Sequence, residues 1–168
     1  AQTRKDLKSF KMHIEFLVPL KPGRTPSSQA RGNSGIYIFN NYEVQVLDSF
    51  ALDLDETNNA VAPESKSSQW CGALYKTKVP AVNMAFPPLT WQTYDIVFHA
   101  PVFEGKIKKR NARITVLHNG VMIHDDVELA NGTGAGAKHE QVAKGPVIFQ
   151  GHGNPVAYRN VWATALRD

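Results

Sequence analysis

The stretch Tyr42-Glu43-Val44-Gln45-Val46-Leu47-Asp48 alternates strictly, which puts Val44 and Val46 on one face of a strand and Glu43 and Gln45 on the other. The apolar face asks for a core. On the opposite face, an acid beside an amide suits ligand hydrogen bonding or proton transfer, although a solvated outer sheet face carries the same pattern. Immediately upstream, residues 35–39 form a second apolar run, and Asn40-Asn41 separates it from the Glu43 strand. Two strands with such a connection predict a hairpin, so the loop through Arg31, Asn33 and Gly35 lies beside the acid.

Working outward, residues 10–18 alternate with His13, Glu15 and Leu17 opposite Met12, Ile14 and Phe16, another strand with one apolar face. Residues 19–34, rich in Pro, Gly, Ser, Arg and Gln, predict a polar loop, and residues 51–69 a long surface excursion. After an irregular stretch over 80–90 that contains Pro87-Pro88, residues 91–98 predict a strand. Residues 112–118 and 121–129 flank Asn119-Gly120, a strong hairpin signal in which Asn119 reads as a turn residue. Residues 131–146 predict a flexible glycine-rich loop, and 147–150 and 156–166 the last strands. At least eight short strands and no useful amphipathic helix predict an all-β fold, an antiparallel β-sandwich of jelly-roll type.

A chain of 168 residues is one domain with room for a full core. No long uncharged apolar run occurs, so no membrane span is expected. The net charge of +4 is scattered apart from Lys106, Lys108, Lys109 and Arg110, which read as a basic turn and are too few for a nucleic-acid footprint. The single Cys71 cannot form an internal disulfide and reads as a packed thiol, leaving the redox compartment open. The six histidines fall singly, so spacing indicates no metal site, and cofactors stay undetermined. Nucleophile-elbow, phosphate-loop and dinucleotide motifs are all missing. Carboxylates, amides, imidazoles and aromatics remain, the groups that bind and cleave sugars.

Among these, Glu43 is the first candidate acid or base; Glu15 reads either as a second or as a surface carboxylate. His152, between Gly151 and Gly153, reads as a presented imidazole or as an ordinary loop histidine. Asp48 reads as a turn residue or a ligand, while Arg31 and Arg159 clamp an oxyanion or pair with a carboxylate. Trp91 is open between sugar stacking and core, and Trp162 is expected in the core.

Taken in order, Arg31-Gly32-Asn33-Ser34-Gly35, the Tyr42 to Ser49 stretch, Cys71-Gly72-Ala73-Leu74-Tyr75 and Trp91-Gln92-Thr93-Tyr94-Asp95 resemble the bacterial 3-keto-disaccharide hydrolase domain. So do Ala112-Arg113, Asn119-Gly120-Val121, His152-Gly153-Asn154-Pro155-Val156 and Arg159-Asn160-Val161-Trp162, and the resemblance spans nearly the whole chain. It implies a concanavalin-like or jelly-roll sandwich, in the periplasm or outside the cell, acting on glycosides already oxidised at C3. A 3-keto group acidifies the hydrogen on C2, so a base, an acid and donors to an enolate oxygen are needed. The resemblance implies Glu43 as leading acid or base and His152 or Glu15 as partner. Asn33, Gln45, Arg159, Arg31 and Trp91 are the implied substrate ligands. The family's opening segment has no counterpart before residue 10, which leads to the expectation of an open sheet edge and a protein partner there. A different class of function, a non-catalytic carbohydrate-binding or structural subunit of an envelope assembly, fits the same fold.

Overall fold

A computed structural model of the chain describes residues 1–24, 28–52 and 67–167. The excursion expected over residues 51–69 therefore lies mostly outside the described residues. The strands in chain order are β1 (Phe10–Leu17), β2 (Ser34–Ile38), β3 (Tyr42–Val46), β4 (Trp91–His99), β5 (Val102–Glu104) and β6 (Ile107–Arg110). β7 (Ala112–His118), β8 (Val121–Leu129), β9 (Val147–Phe149) and β10 (Ala157–Ala165) follow, with a short 3-10 helix, Gly134–Lys138, between β8 and β9. All pairings are antiparallel, in a five-stranded sheet ordered β10-β1-β4-β7-β8, a three-stranded sheet β3-β2-β9 and the separate hairpin β5-β6. This is the antiparallel β-sandwich the alternation predicts.

Period-two patterning decides which residues meet between the sheets. Phe10, Met12, Ile14 and Phe16 of β1 and Tyr94, Ile96 and Phe98 of β4 are buried, and Ile36, Ile38, Tyr42, Val44 and Val46 of the smaller sheet join the same core. Phe98 bridges the layers, its ring 5.3 Å from Phe39 and 5.5 Å from Tyr42. Two polar contacts add register to this non-directional packing. The Tyr94 hydroxyl donates to the Gln45 carbonyl (2.7 Å), and Ser34 Oγ lies 2.7 Å from Tyr158 Oη. Cys71 is buried with its sulfur 3.0 Å from the same Tyr94 hydroxyl, a packed thiol whose pKa burial pushes up to about 11.

Several details depart from the sequence reading. The β2–β3 turn is built on Phe39 and Asn40, both at positive φ, and closes when Asn41 N–H donates to Ile38 O (3.0 Å). Asn119 does more than turn: its Oδ1 accepts from Thr93 N–H (2.9 Å) and its Nδ2 donates to Met84 O (2.8 Å), pinning the irregular segment before β4. Of the basic cluster, Lys108, Lys109 and Arg110 belong to β6 and only Lys106 to the turn. The start of the chain runs along β9, with Thr3 N–H donating to Val147 O (2.9 Å) and Phe149 N–H to Ala1 O (2.8 Å). These bonds pair the β9 edge of the smaller sheet within the chain. Trp162 lies outside the core, 55% exposed, because the β1–β10 register shifts between His13 and Glu15, where Asn160 takes positive φ. No helix of the described residues is long and apolar enough to cross a membrane.

Two buried histidines make the fold acid-sensitive. His118 lies 3.0 Å from Gln92 Oε1 and His124 2.8 Å from Gly72 O, each through Nε2, and both Nδ1 atoms lack partners. Burial pushes their pKa values down from 6.5 to about 3 and about 4. Below pH 6.5 the unfolded chain binds protons that the folded chain refuses, so stability must fall as pH drops. Urea unfolding between pH 7 and pH 4 should show His118→Gln relieving roughly 2–3 kcal/mol of this acid loss. Equal acid slopes in variant and parent would contradict the assignment.

Candidate active site on the outer face of the smaller sheet

The β2–β3 hairpin places the acid by register. Ile36 pairs with Val44 and Ile38 with Tyr42 on the core side, so Gly35, Tyr37, Glu43 and Gln45 share the outer face. That face is not solvated: Glu43 is 2% and Gln45 1% exposed. Along the edge of β3, Gly72 N–H donates to Gln45 O (2.9 Å), Gln45 N–H to Ala73 O (2.9 Å) and Tyr75 N–H to Glu43 O (3.1 Å). The Glu43 N–H goes instead to Thr133 Oγ1 (2.7 Å), while Thr133 N–H donates to Asn41 O (2.8 Å). Asn41 Nδ2 donates onward to His139 O (3.2 Å) and Glu140 O (3.3 Å). The loop expected to be flexible is thereby latched over the hairpin. Its closest approach needs glycine, since a Cβ at Gly136 would collide with the Asn41 carbonyl.

Beneath this roof lies a cavity of about 170 Å³ whose walls include Gln29, Asn33, Tyr37, Glu43, Gln45, Tyr75, Gln150 and His152. Glu43 packs against bare backbone at Gly35, where a Cβ would collide with Oε1. The Tyr37 hydroxyl bonds the carboxyl, and the Gln45 amide nitrogen, turned toward it, donates to Oε1 (3.2 Å) and to Ser34 O (2.9 Å). Two buried acceptors, Glu43 Oε2 and Gln150 Oε1, have no partner. Such orphaned atoms normally cost stability, and here they suit a ligand's hydroxyls. Burial pushes the Glu43 pKa up to about 7 against the opposing pull of Tyr37. The neighbouring phenols rise too: Tyr37 by burial and then by its bond to Glu43, Tyr75 by burial and then by the Glu43 charge. A carboxyl balanced between its two forms near neutrality serves as acid and as base.

Glu43, Gln45, Asn33 and His152 therefore converge on one cavity, His152 at its exposed mouth. The other four candidates do not join them. Arg31 gives Nε (2.9 Å) and Nη2 (2.5 Å) to Asp48 Oδ2, a largely buried pair that fixes the loop bearing Gln29 and Asn33. It braces the wall of the site, and Asp48 is a turn residue as well, its Oδ1 accepting from Phe50 N–H two residues on (3.3 Å). Glu15 sits on the outer face of the five-stranded sheet, across the core from Glu43, where Arg159 (2.6 Å) and Asn160 (2.6 Å) hydrogen-bond it and hold its pKa low. The Arg159 guanidinium lies 3.9 Å from the centre of the Trp91 ring, so that pair also belongs to the far face. Gln29, Tyr37, Tyr75 and Gln150 are the members that sequence reasoning missed. None of them left a usable signal: the Asn40-Asn41 turn expected from the sequence pairs Ile38 with Glu43, and Tyr37 comes opposite Glu43 only in the observed register. Among the described residues no group of three or more His, Cys, Asp or Glu is arranged to hold a metal ion.

Two outcomes follow from this electrostatic arrangement. Because the folded state keeps the Glu43 proton up to about pH 7 and the unfolded chain loses it near 4.5, folding bears a cost that grows between those values and is complete above them. Glu43→Gln should therefore stabilise the protein at pH 8 by up to roughly 3 kcal/mol and by nearly nothing at pH 4.5, read from urea midpoints. A pH-independent difference would contradict the buried carboxyl. Arg31→Met should destabilise by roughly 3–5 kcal/mol by stranding Asp48, with much of the loss recovered in Arg31→Met/Asp48→Leu. A stable single variant would contradict the positioning role.

The comparisons agree with the fold. Residues 1–164 match the family of the 3-keto-alpha-glucoside-1,2-lyase-like domain. A crystal structure from Parabacteroides distasonis, titled a "putative glycosyl hydrolase", superposes with a TM-score of 0.76 at 32% identity, over 98% of this chain and 67% of its own. Two further structures from that organism, with the same description, have TM-scores of 0.67 and 0.61 at 19% and 17% identity. They cover 99% and 98% of this chain and 76% and 82% of their own, and at those identities they support the fold alone. No curated protein matches the sequence. The outer-face cavity thus lies in a chain that belongs to the 3-keto-alpha-glucoside-1,2-lyase-like domain family, a carbohydrate-active family of hydrolase and lyase type.

Proposed function

We propose that this chain cleaves 3-keto-glycosides by elimination across C1–C2, followed by addition of water. One observation carries the reading: a buried carboxyl poised near neutrality, with an unpartnered oxygen, in the wall of a cavity that has room for a single sugar ring. The Glu43 carboxylate takes the C2 proton, and the C–H electron pair moves into the C3 carbonyl as an enolate. The Asn33 amide, with one N–H given to Gln29 Oε1 (3.2 Å) and one left, lines the cavity as donor for that developing oxyanion, while Gln45 holds the Glu43 carboxyl. Collapse of the enolate restores the C3 carbonyl, forms the C1–C2 double bond and breaks the bond from C1 to the glycosidic oxygen. That oxygen leaves with a proton from His152 at the cavity mouth. Water then adds hydroxyl to C1 and hydrogen to C2, releasing the 3-keto sugar.

Tyr37 tunes the base, because its hydrogen bond favours the carboxylate. The test is release of free sugar from a 3-keto-disaccharide. Glu43→Gln should lower kcat by about 10²–10⁴-fold while substrate binding persists. For the parent, kcat/KM should rise through about pH 7 as Glu43 ionises, and Tyr37→Phe should move that limb to higher pH. A folded parent that binds 3-keto-disaccharides without cleaving them would overturn the enzyme reading in favour of a carbohydrate-binding subunit.

A further inference from the structure

A second and larger cavity, of about 480 Å³, opens beside the Glu43 site and shares Gln29 and His152 with it. Its walls carry Lys21 and Arg24, with Asn154 beside His152, and none of the described lining residues is acidic. Among the described residues neither Lys21 nor Arg24 has an ion-pair or hydrogen-bond partner. This contrasts with Arg31, Arg113 and Arg159, each of which is paired with a carboxylate. Two uncommitted cations facing one groove, with no carboxylate among the described residues of its wall, create a positive potential that attracts an anion. The wall common to both cavities is where the bond between sugar and leaving group must lie, and His152 stands in that wall.

We infer that the Lys21–Arg24 groove is the leaving-group subsite and that it takes an aglycone bearing an anionic oxygen group, a carboxylate, sulfate or phosphate. The inference rests on the reading of the Glu43 cavity as the sugar subsite. Lys21 and Arg24 act in binding and the chemistry stays with Glu43, so the groove sets preference among substrates. Salt weakens the preference, since both cations are at least partly open to solvent.

The test compares two 3-keto-glucosides, one of 4-hydroxybenzoate and one of its neutral isostere 4-hydroxybenzamide, with the parent and with Lys21→Ala/Arg24→Ala. The double substitution should lower kcat/KM about tenfold for the carboxylate substrate and leave the carboxamide unchanged. Comparing each substrate with itself across the two proteins cancels leaving-group reactivity. The same series with sulfate and phosphate esters on the aglycone ring identifies which anion the groove prefers. Equal effects on charged and neutral substrates, or none on either, would overturn the subsite. If the parent turns over neither compound, the elimination reading fails, and calorimetry with free 4-hydroxybenzoate then tests the groove alone. Carboxylate binding that vanishes in the double variant would sustain it, and indifference to the substitutions would overturn it.

Discussion

The burial of one carboxyl governs this molecule. Glu43 is a strand residue on the face away from the core, a place where an acid ordinarily meets water, yet it is 2% exposed. Withdrawing it from solvent disfavours its charge, which brings its pKa to about 7. Everything around the cavity maintains that condition. The segment ending at Tyr75 extends the edge of β3, the Thr133 loop roofs it, and the Arg31–Asp48 pair braces the wall that carries Gln29 and Asn33.

The sandwich supplies the rigidity this needs. Tyr94 reaches from the larger sheet to the Gln45 carbonyl, so the strand bearing the acid is tied to the core strand β4 by a directed bond as well as by packing. Glu43 donates its own N–H to Thr133, and its side chain packs over Gly35, where a Cβ would collide with Oε1. Positioning of this kind is the main contribution a protein makes to proton transfer from carbon, where the reacting groups must be aligned before the chemistry begins.

Alternation made the two sheets and the outward direction of Glu43 and Gln45 legible, because one buried face fixes the phase of every strand. Glu15 shows where that reasoning stops. Its strand obeys the same rule, and the rule does send Glu15 outward, but a sandwich has two outer faces and periodicity cannot say which one a strand presents. The register shift at Asn160 likewise turned Trp162 out of the core without a glycine or proline to announce it. Gln29, Tyr75 and Gln150 reach the cavity from three loops, so their convergence depends on long-range closure that no local pattern encodes. Tyr37 was hidden by one residue of register: a turn at Asn40-Asn41 would pair Ile38 with Glu43, and the observed turn on Phe39 and Asn40 pairs Tyr37 with it instead. Arg31 and Asp48, 17 residues apart, were each open between two roles until the structure joined them.

If Glu43 is the proton carrier, its carboxyl must titrate where the reaction runs. The most direct measurement is the carbon-13 shift of the Glu43 side-chain carboxyl, followed by NMR from pH 4 to pH 9 with Glu43→Gln identifying the resonance. The account predicts a midpoint near 7, whereas a midpoint near the ordinary 4.5 would mean that the carboxyl is solvated and would contradict it.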